Sequence, residues 1–246
     1  MTKEQSKWFQ SWFDTPYYHT LYENRDYKEA EVFIKNIVKY LNLDTEDSIL
    51  DLACGKGRHS IFLNSLGYNV TGLDLSVNSI ETAKKKESSS LHFDVHDMRK
   101  IYGTQFEVVL NLFTSFGYFE EKSDDLKVIN NIKSSLKQNG IGVIDFMNTP
   151  VVIDNLIDQN SYESNGMTFK LKRSYSEGFI TKNIEVIDSN KTHYFNEKVR
   201  AYSFQDFETM LSNVGLHLLD CFGDYNLNPF NIKTSRRLIL IFMSND

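Results

Sequence analysis

Ser48-Ile49-Leu50-Asp51-Leu52-Ala53-Cys54-Gly55-Lys56-Gly57-Arg58-His59-Ser60 is the segment whose reading decides the rest of this chain. A short apolar run, 48–52, ends at a glycine loop, and a helical pattern over 58–66 follows and stops at Gly67. At Gly55 and Gly57 the missing Cβ lets backbone come close to a ligand. The helix after them offers unpaired N–H groups at its first turn. Strand, glycine turn and helix in that order predict a nucleotide-like ligand at the end of a buried strand.

The alternation continues outward from there. Residues 69–73 read as a strand, 77–86 as a helix, 91–93 as a short strand and 106–112 as a strongly apolar one. Residues 124–138 read as a helix closed by Asn139-Gly140, and 141–147 as another buried strand. Strands alternating with helices predict a parallel sheet covered on both faces. Over 161–202 the period changes to two, as in Thr168-Phe169-Lys170-Leu171-Lys172, which predicts inserted antiparallel strands. Residues 204–212 read as a helix with Ser203 as N-cap, and 216–222 and 237–242 as two closing strands, giving an antiparallel edge. Before the glycine loop, Trp8 to Leu43 is helical in pattern and rich in aromatics, with a break at Pro16. The expected fold is α/β: a Rossmann-like, mostly parallel seven-stranded sheet with helices on both faces and an antiparallel last strand, plus an inserted antiparallel β segment. The expected units are a helical arm over 1–45, the Rossmann-like domain over 46–160 and 203–246, and the insertion over 161–202.

Composition narrows the function. The chain has 246 residues, 41% of them hydrophobic, enough for the core of one α/β domain with a small insertion. A formal net charge of −6 argues against a phosphate backbone as partner, so no nucleic acid is expected. The clusters Lys84-Lys85-Lys86 and Lys233, Arg236, Arg237 read as a helix end and a solvated turn. Two cysteines, Cys54 and Cys221, fit a reducing compartment. No apolar run approaches the ~20 residues of a membrane span, and the first residues hold no apolar signal core. A cytoplasmic location and no membrane partner are expected. His92 and His96 lie on no common helical face, so no metal site is expected.

Asp74, just under ~20 residues past the loop, sits where a carboxylate accepts hydrogen bonds from ribose hydroxyls. A dinucleotide site is the rival, but its third glycine is replaced by Ser60, and Asp51 at the strand end would repel pyrophosphate. A sulfonium ligand with an α-ammonium group suits those charges better than NAD.

The same residues resemble the class I S-adenosylmethionine-dependent methyltransferase family, in its bacterial small-molecule type. Asp51-Leu52-Ala53-Cys54-Gly55-Lys56-Gly57 resembles the family's first motif, and Val70-Thr71-Gly72-Leu73-Asp74-Leu75-Ser76 its second. His96-Asp97-Met98-Arg99 is similar to its adenine-contacting segment, and Val109-Leu110-Asn111-Leu112-Phe113-Thr114-Ser115 to its fourth motif. Residues 138–145 resemble the fifth strand and its entry turn. The resemblance implies S-adenosyl-L-methionine as cofactor, held by Asp51, Ala53, Cys54, Gly55, Gly57, Asp74, Leu75, Asp97, Met98, Asn111, Leu112 and Phe113. Asp97 would meet the exocyclic amine of adenine, its rival role being a helix cap. The run Asn111-Leu112-Phe113-Thr114 lacks the prolines of nucleic-acid and glutamine-amide N-methyltransferases, which leaves a small-molecule acceptor.

In related methyltransferases an N-terminal segment covers the active site. The resemblance therefore implies roles near the methionine end for Tyr17, Tyr18 and Tyr22, with Arg25 as a carboxylate partner. Tyr18 and Tyr118 are the expected acceptor-positioning residues. Thr114, Ser115, Phe116, Tyr118 and Asn148 are the expected walls. Cys54 reads as a small packed residue rather than a nucleophile, and His59 as a solvated or capping histidine. The insertion is expected to roof the pocket or to form the face of a homodimer. The expected activity is methyl transfer to N or O of a small molecule. The alternatives are a non-catalytic S-adenosylmethionine-binding sensor or partner subunit, and an NAD-dependent oxidoreductase.

Overall fold

The computed structural model of the chain describes residues 8–23 and 27–244. Three helices come first: α1 (Trp8–Trp12), α2 (Pro16–Leu21) and α3 (Tyr27–Leu41). Then strands and helices alternate: β1 (Ser48–Leu52), α4 (Arg58–Ser65), β2 (Asn69–Asp74), α5 (Val77–Lys84), β3 (Leu91–Val95), β4 (Phe106–Asn111), α6 (Lys122–Ser135), β5 (Leu136–Met147) and α7 (Thr149–Asp154). Four strands follow: β6 (Gln159–Ser164), β7 (Met167–Ser176), β8 (Phe179–Asp188) and β9 (Lys191–Arg200). The chain closes with α8 (Phe204–Asn213), β10 (Leu216–Phe222) and β11 (Arg237–Ser244).

Seven strands form one sheet in the order β10-β11-β5-β4-β1-β2-β3. All are parallel except β11, which runs against both β5 and β10. The antiparallel strand is thus second from the edge, not the edge itself. Period-two burial sorts the side chains onto two faces. Ile49, Val108 and Leu110 join the core under α3, α4 and α5, while Leu50, Leu52 and Val109 join the core under α6 and α8. The order reverses between β1 and β4, and it is there that the C-terminal strand ends open a crevice.

The second sheet has the order β6-β7-β8-β9, wholly antiparallel. Its inward residues Phe169, Leu171, Ile184 and Val186 are buried with Trp12 of α1 in the same core as Leu50 and Leu52. Sheet and arm therefore close over one side of the crevice.

The fold departs from the sequence pattern at two places. The helical pattern over Trp8–Leu43 is three helices, because Thr15 caps α2 by accepting the Tyr18 N–H (3.1 Å) and Pro16 takes its first turn. Of these, α1 packs on β9, while α3 lies on the opposite face of the large sheet beside α4. The helix read over 124–138 ends at Ser135. Leu136 is buried and pairs with Phe106, so the chain has already joined the sheet before Asn139 turns at φ 60°. Ser203 does cap α8, in a reciprocal box with Asp206. Among the described residues no helix is long and apolar enough to cross a membrane.

Candidate functional site

The crevice is a cavity of about 1470 Å³ lined by both sheets, the strand-end loops and the arm. On one side lies the glycine loop. Asp51, next to last in β1, has 1% of its surface exposed, and its carboxylate accepts the Ser60 hydroxyl at 2.6 Å. Burial, opposed by that hydrogen bond, pushes the Asp51 carboxyl up to about 6. Ala53 follows at φ 65° and Gly55 at φ 58°. A Cβ at Gly55 would meet no atom within 4 Å, so the backbone here borders open space. Asp74, at the end of β2, braces this loop from the neighbouring strand. Its Oδ2 accepts the Gly55 N–H and its Oδ1 the Ser76 N–H, both at 2.8 Å.

At two glycines packing forbids a side chain. The Phe93 ring lies 2.6 Å from where a Cβ would stand on either Gly57 or Gly72. The ring thus fills the groove between α4 and β2. Gly57 does not line the cavity. Asn111 does not line it either: it is buried and its Nδ2 donates to the carbonyls of Leu52 (3.0 Å) and Ser115 (3.3 Å). It ties the loops after β1 and β4 together. Its Oδ1 meets no partner among the described residues.

The loop after β4 forms the next wall. Phe113 and Thr114 both hold left-handed backbone, at φ 58° and 64°, which costs a non-glycine residue roughly 1–2 kcal/mol. Asp145 at the end of β5 fixes both. Its carboxylate accepts the Phe113 N–H at 2.8 Å and its carbonyl the Thr114 N–H at 2.9 Å. Arg237 closes the bracket, pairing with Asp145 Oδ1 at 2.7 Å and donating to Thr114 Oγ1 at 2.9 Å. Arg237 therefore opens β11 as a partner of a buried carboxylate, not as a cation of a solvated turn.

The arm and the small sheet supply the opposite wall. Trp8, Phe9, Phe13, Tyr18 and Tyr118 line it in edge and tilted contacts, with ring centroids about 5 to 6 Å apart. Tyr118 donates to the Thr114 carbonyl at 2.5 Å. At the rear of this chamber Glu197 of β9 accepts Trp12 Nε1 at 2.8 Å, the Tyr22 hydroxyl at 2.5 Å and Lys182 Nζ at 2.6 Å. Burial opposes its charge, yet Lys182 and the other donors hold the Glu197 carboxyl below the usual carboxylate range.

Of the residues expected from sequence, Asp51, Ala53, Cys54, Gly55, Asp74, Leu75, Asp97, Met98, Leu112, Phe113, Tyr18 and Tyr118 line this one cavity. Arg25 lies outside the described residues. Asp97 lines the cavity with its carboxylate held by Arg99 at 2.7 Å. Tyr17 turns away to Asp188 (3.1 Å), Phe116 is buried against Tyr202 and Phe207, and Asn148 is buried with its amide on the carbonyls of Ile232 and Ser235. His59 is neither solvated nor a cap. It is 7% exposed and lies against Phe113 in a tilted ring contact with centroids 4.9 Å apart, and burial together with Arg58 pushes it down to about 3. Lys182 and Glu197 were missed. Their signal was a charge on an apolar face, in Ile180-x-Lys182-x-Ile184 and Phe195-x-Glu197-x-Val199.

Comparison with known proteins follows the same lines. A family model described as "Methyltransferase domain" matches residues 49–140. The chain is 32% identical over 199 residues to a Bacillus subtilis (strain 168) protein named "Putative methyltransferase YqeM", covering 75% of this chain and 79% of that one. It is 26% identical over 210 residues to the glycine/sarcosine N-methyltransferase of Aphanothece halophytica, covering 82% and 76%. The crystal structure of an S-adenosylmethionine-dependent methyltransferase from Clostridium acetobutylicum ATCC 824 is similar with a TM-score of 0.80 over 94% of this chain and 96% of that one. At 21% identity this likeness is one of fold.

Proposed function

This chain belongs to the class I S-adenosylmethionine-dependent methyltransferases, and from that premise we propose that it methylates a nitrogen or oxygen of a small molecule held between the arm and the small sheet. Its cofactor is S-adenosylmethionine, which sets the nicotinamide alternative aside. The residues fit that cofactor. Gly55 borders open space where a ligand can lie on the backbone, and the two carboxylates beside it, Asp51 and Asp74, suit a cation and a ribose and would repel a pyrophosphate. In this reading Asp74 accepts from the ribose hydroxyls, Asp51 faces the ammonium end, and Met98 and Leu75 pack on the adenine side.

The observation that carries the proposal is the continuity of one cavity from the Asp51–Gly57 loop to the aromatic chamber of Tyr18 and Tyr118. When bound, the cofactor supplies an electrophilic methyl on an already activated sulfur. The protein has mainly to align the acceptor and exclude water. The aromatic rings and the arm do both, and the Asp145–Arg237 bracket fixes the loop between the two halves. A dedicated base is required only for a nucleophile that must lose a proton. Incubation of the full chain with methyl-labelled S-adenosylmethionine and a mixture of small metabolites tests the proposal. Label is expected in a small-molecule product. Tight S-adenosylhomocysteine binding with no transfer to any component would favour the sensor alternative.

The cofactor should also bind with a characteristic pH dependence. In the free protein Asp51 ionises only near pH 6. A bound ammonium favours the carboxylate, so the pKa falls in the complex and binding releases a proton as pH drops below 6. Affinity for S-adenosylhomocysteine should therefore rise about tenfold from pH 5 to pH 7, as Asp51 goes from mostly protonated to mostly ionised. Calorimetry across that range checks it, and Asp51→Asn should flatten the profile.

A further inference from the structure

On the face of the small sheet that lines the cavity, three charged residues stand in one row. Arg173, Lys182 and Glu197 are directly opposite one another across β7, β8 and β9. All three point inward, since they continue the buried alternations Phe169-x-Leu171-x-Arg173 and Ile184-x-Lys182. Their neighbours Lys170 and Lys172 face out and are exposed. Lys182 and Glu197 answer each other at 2.6 Å, and the rest of the Glu197 carboxylate is taken by Tyr22 and Trp12. Within the row, that leaves one cation in excess.

The remaining cation is held in place. Arg173 Nη1 donates to the Ile157 carbonyl at 3.2 Å and to Asn160 Oδ1 at 2.6 Å. These two acceptors fix the plane of the guanidinium. Its other edge, Nε and Nη2, meets no acceptor among the described residues, and that edge is the one that takes a carboxylate or phosphate through two parallel hydrogen bonds. Arg236, exposed, also lines the cavity, as do the apolar side chains of Met147, Val152 and Leu156. The lining carboxylates other than Glu197 lie off the small sheet: Asp51 and Asp74 in β1 and β2, Asp97 after β3, Glu23 after α2, Glu29 in α3 and Asp224 after β10.

We infer that the methyl acceptor is an anion-bearing small molecule, its carboxylate or phosphate held by Arg173 and its nucleophilic atom turned toward Tyr18, Tyr118 and Thr114. The inference rests on the proposed function of this cavity and names the substrate class it admits. The insertion then does more than roof the pocket, since its cross-strand row sorts acceptors by charge while the aromatic chamber sorts them by shape.

Calorimetry on the full chain saturated with S-adenosylhomocysteine tests this with three probes: phenylacetate, phenyl phosphate and the neutral phenylacetamide. At least one anion is expected to bind roughly tenfold or more tighter than phenylacetamide, the effect of a bidentate charged hydrogen bond. The tighter of the two identifies the anion as carboxylate or phosphate. Arg173→Gln should abolish the preference, and Arg173→Lys should restore part of it. Both variants should keep the wild-type affinity for S-adenosylhomocysteine, which shows that they are folded. Equal binding of all three probes, failure of all three to bind, or an anion preference that survives Arg173→Gln would overturn the inference and leave the cofactor site standing. Failure of S-adenosylhomocysteine itself to bind wild-type protein would overturn the proposed function and this inference with it.

Discussion

Asp74→Ala should weaken S-adenosylhomocysteine binding at least a hundredfold, about 3 kcal/mol. The carboxylate works on two sides. Toward the protein it accepts the Gly55 and Ser76 N–H groups and so holds the glycine loop against β2. Toward the cavity it is the acceptor proposed for the ribose hydroxyls. Alanine removes both roles, each a hydrogen bond to a charged group in a nearly closed environment. Burial raises the Asp74 carboxyl above its ordinary value, and the two backbone donors work against that rise. Asp74→Asn separates the roles, because the amide oxygen still reaches one N–H while the amide nitrogen cannot accept. It should fall between wild type and alanine. An alanine variant within about threefold of wild-type affinity would remove Asp74 from the cofactor site.

Gly72→Ala should destabilise the fold by roughly 2–3 kcal/mol, lowering the melting temperature by about 4–12 °C. Its new methyl would stand 2.6 Å from Phe93 Cδ1 and 2.9 Å from Cys54 Sγ. In many places a side chain could swing aside. Here the same ring already presses on Gly57, whose own Cβ position is 2.6 Å from Phe93 Cε1 and Cζ. Phe93 is fully buried, so its ring does not border solvent into which it could swing. The glycine loop should be displaced along with the ring, so cofactor affinity should fall in parallel with stability. Adding Phe93→Leu to Gly72→Ala should recover part of the loss, because the smaller side chain vacates the space between the two glycines. A single variant that melts within about a degree of wild type would show that the contact is not tight.

These two glycines also mark how far the sequence could be read. The loop Asp51–Gly57 and the acid at Asp74 were legible because each is local: a strand, a turn and a charge at fixed spacing. The same holds for the alternation of strands and helices, which implies a mostly parallel sheet covered on both faces. What Gly57 is for was not legible. It reads as a ligand contact, and its packing against Phe93, which lies on another strand, has no local signal. Arg237 failed for the same reason. In sequence it ends a polar turn, and only the antiparallel approach of β11 to β5 sets it against Asp145. The end of α6 was misread because Asn139-Gly140 is a sound stop signal used here for a turn inside a strand. Lys182 and Glu197 stood in plain view as charges on an apolar face, but a charge in alternating β sequence says nothing about which strand will answer it.

The central claim is that one cavity binds the methyl donor on the Asp51–Gly57 loop and the acceptor against the arm. A crystal structure of the full chain with S-adenosylhomocysteine tests it most directly. The ribose hydroxyls are expected within hydrogen-bond distance of Asp74, the adenine beside Asp97 and Met98, and the sulfur facing the chamber of Tyr18 and Tyr118. A ligand bound elsewhere, or one lying in this crevice with its sulfur turned away from those tyrosines, would contradict it.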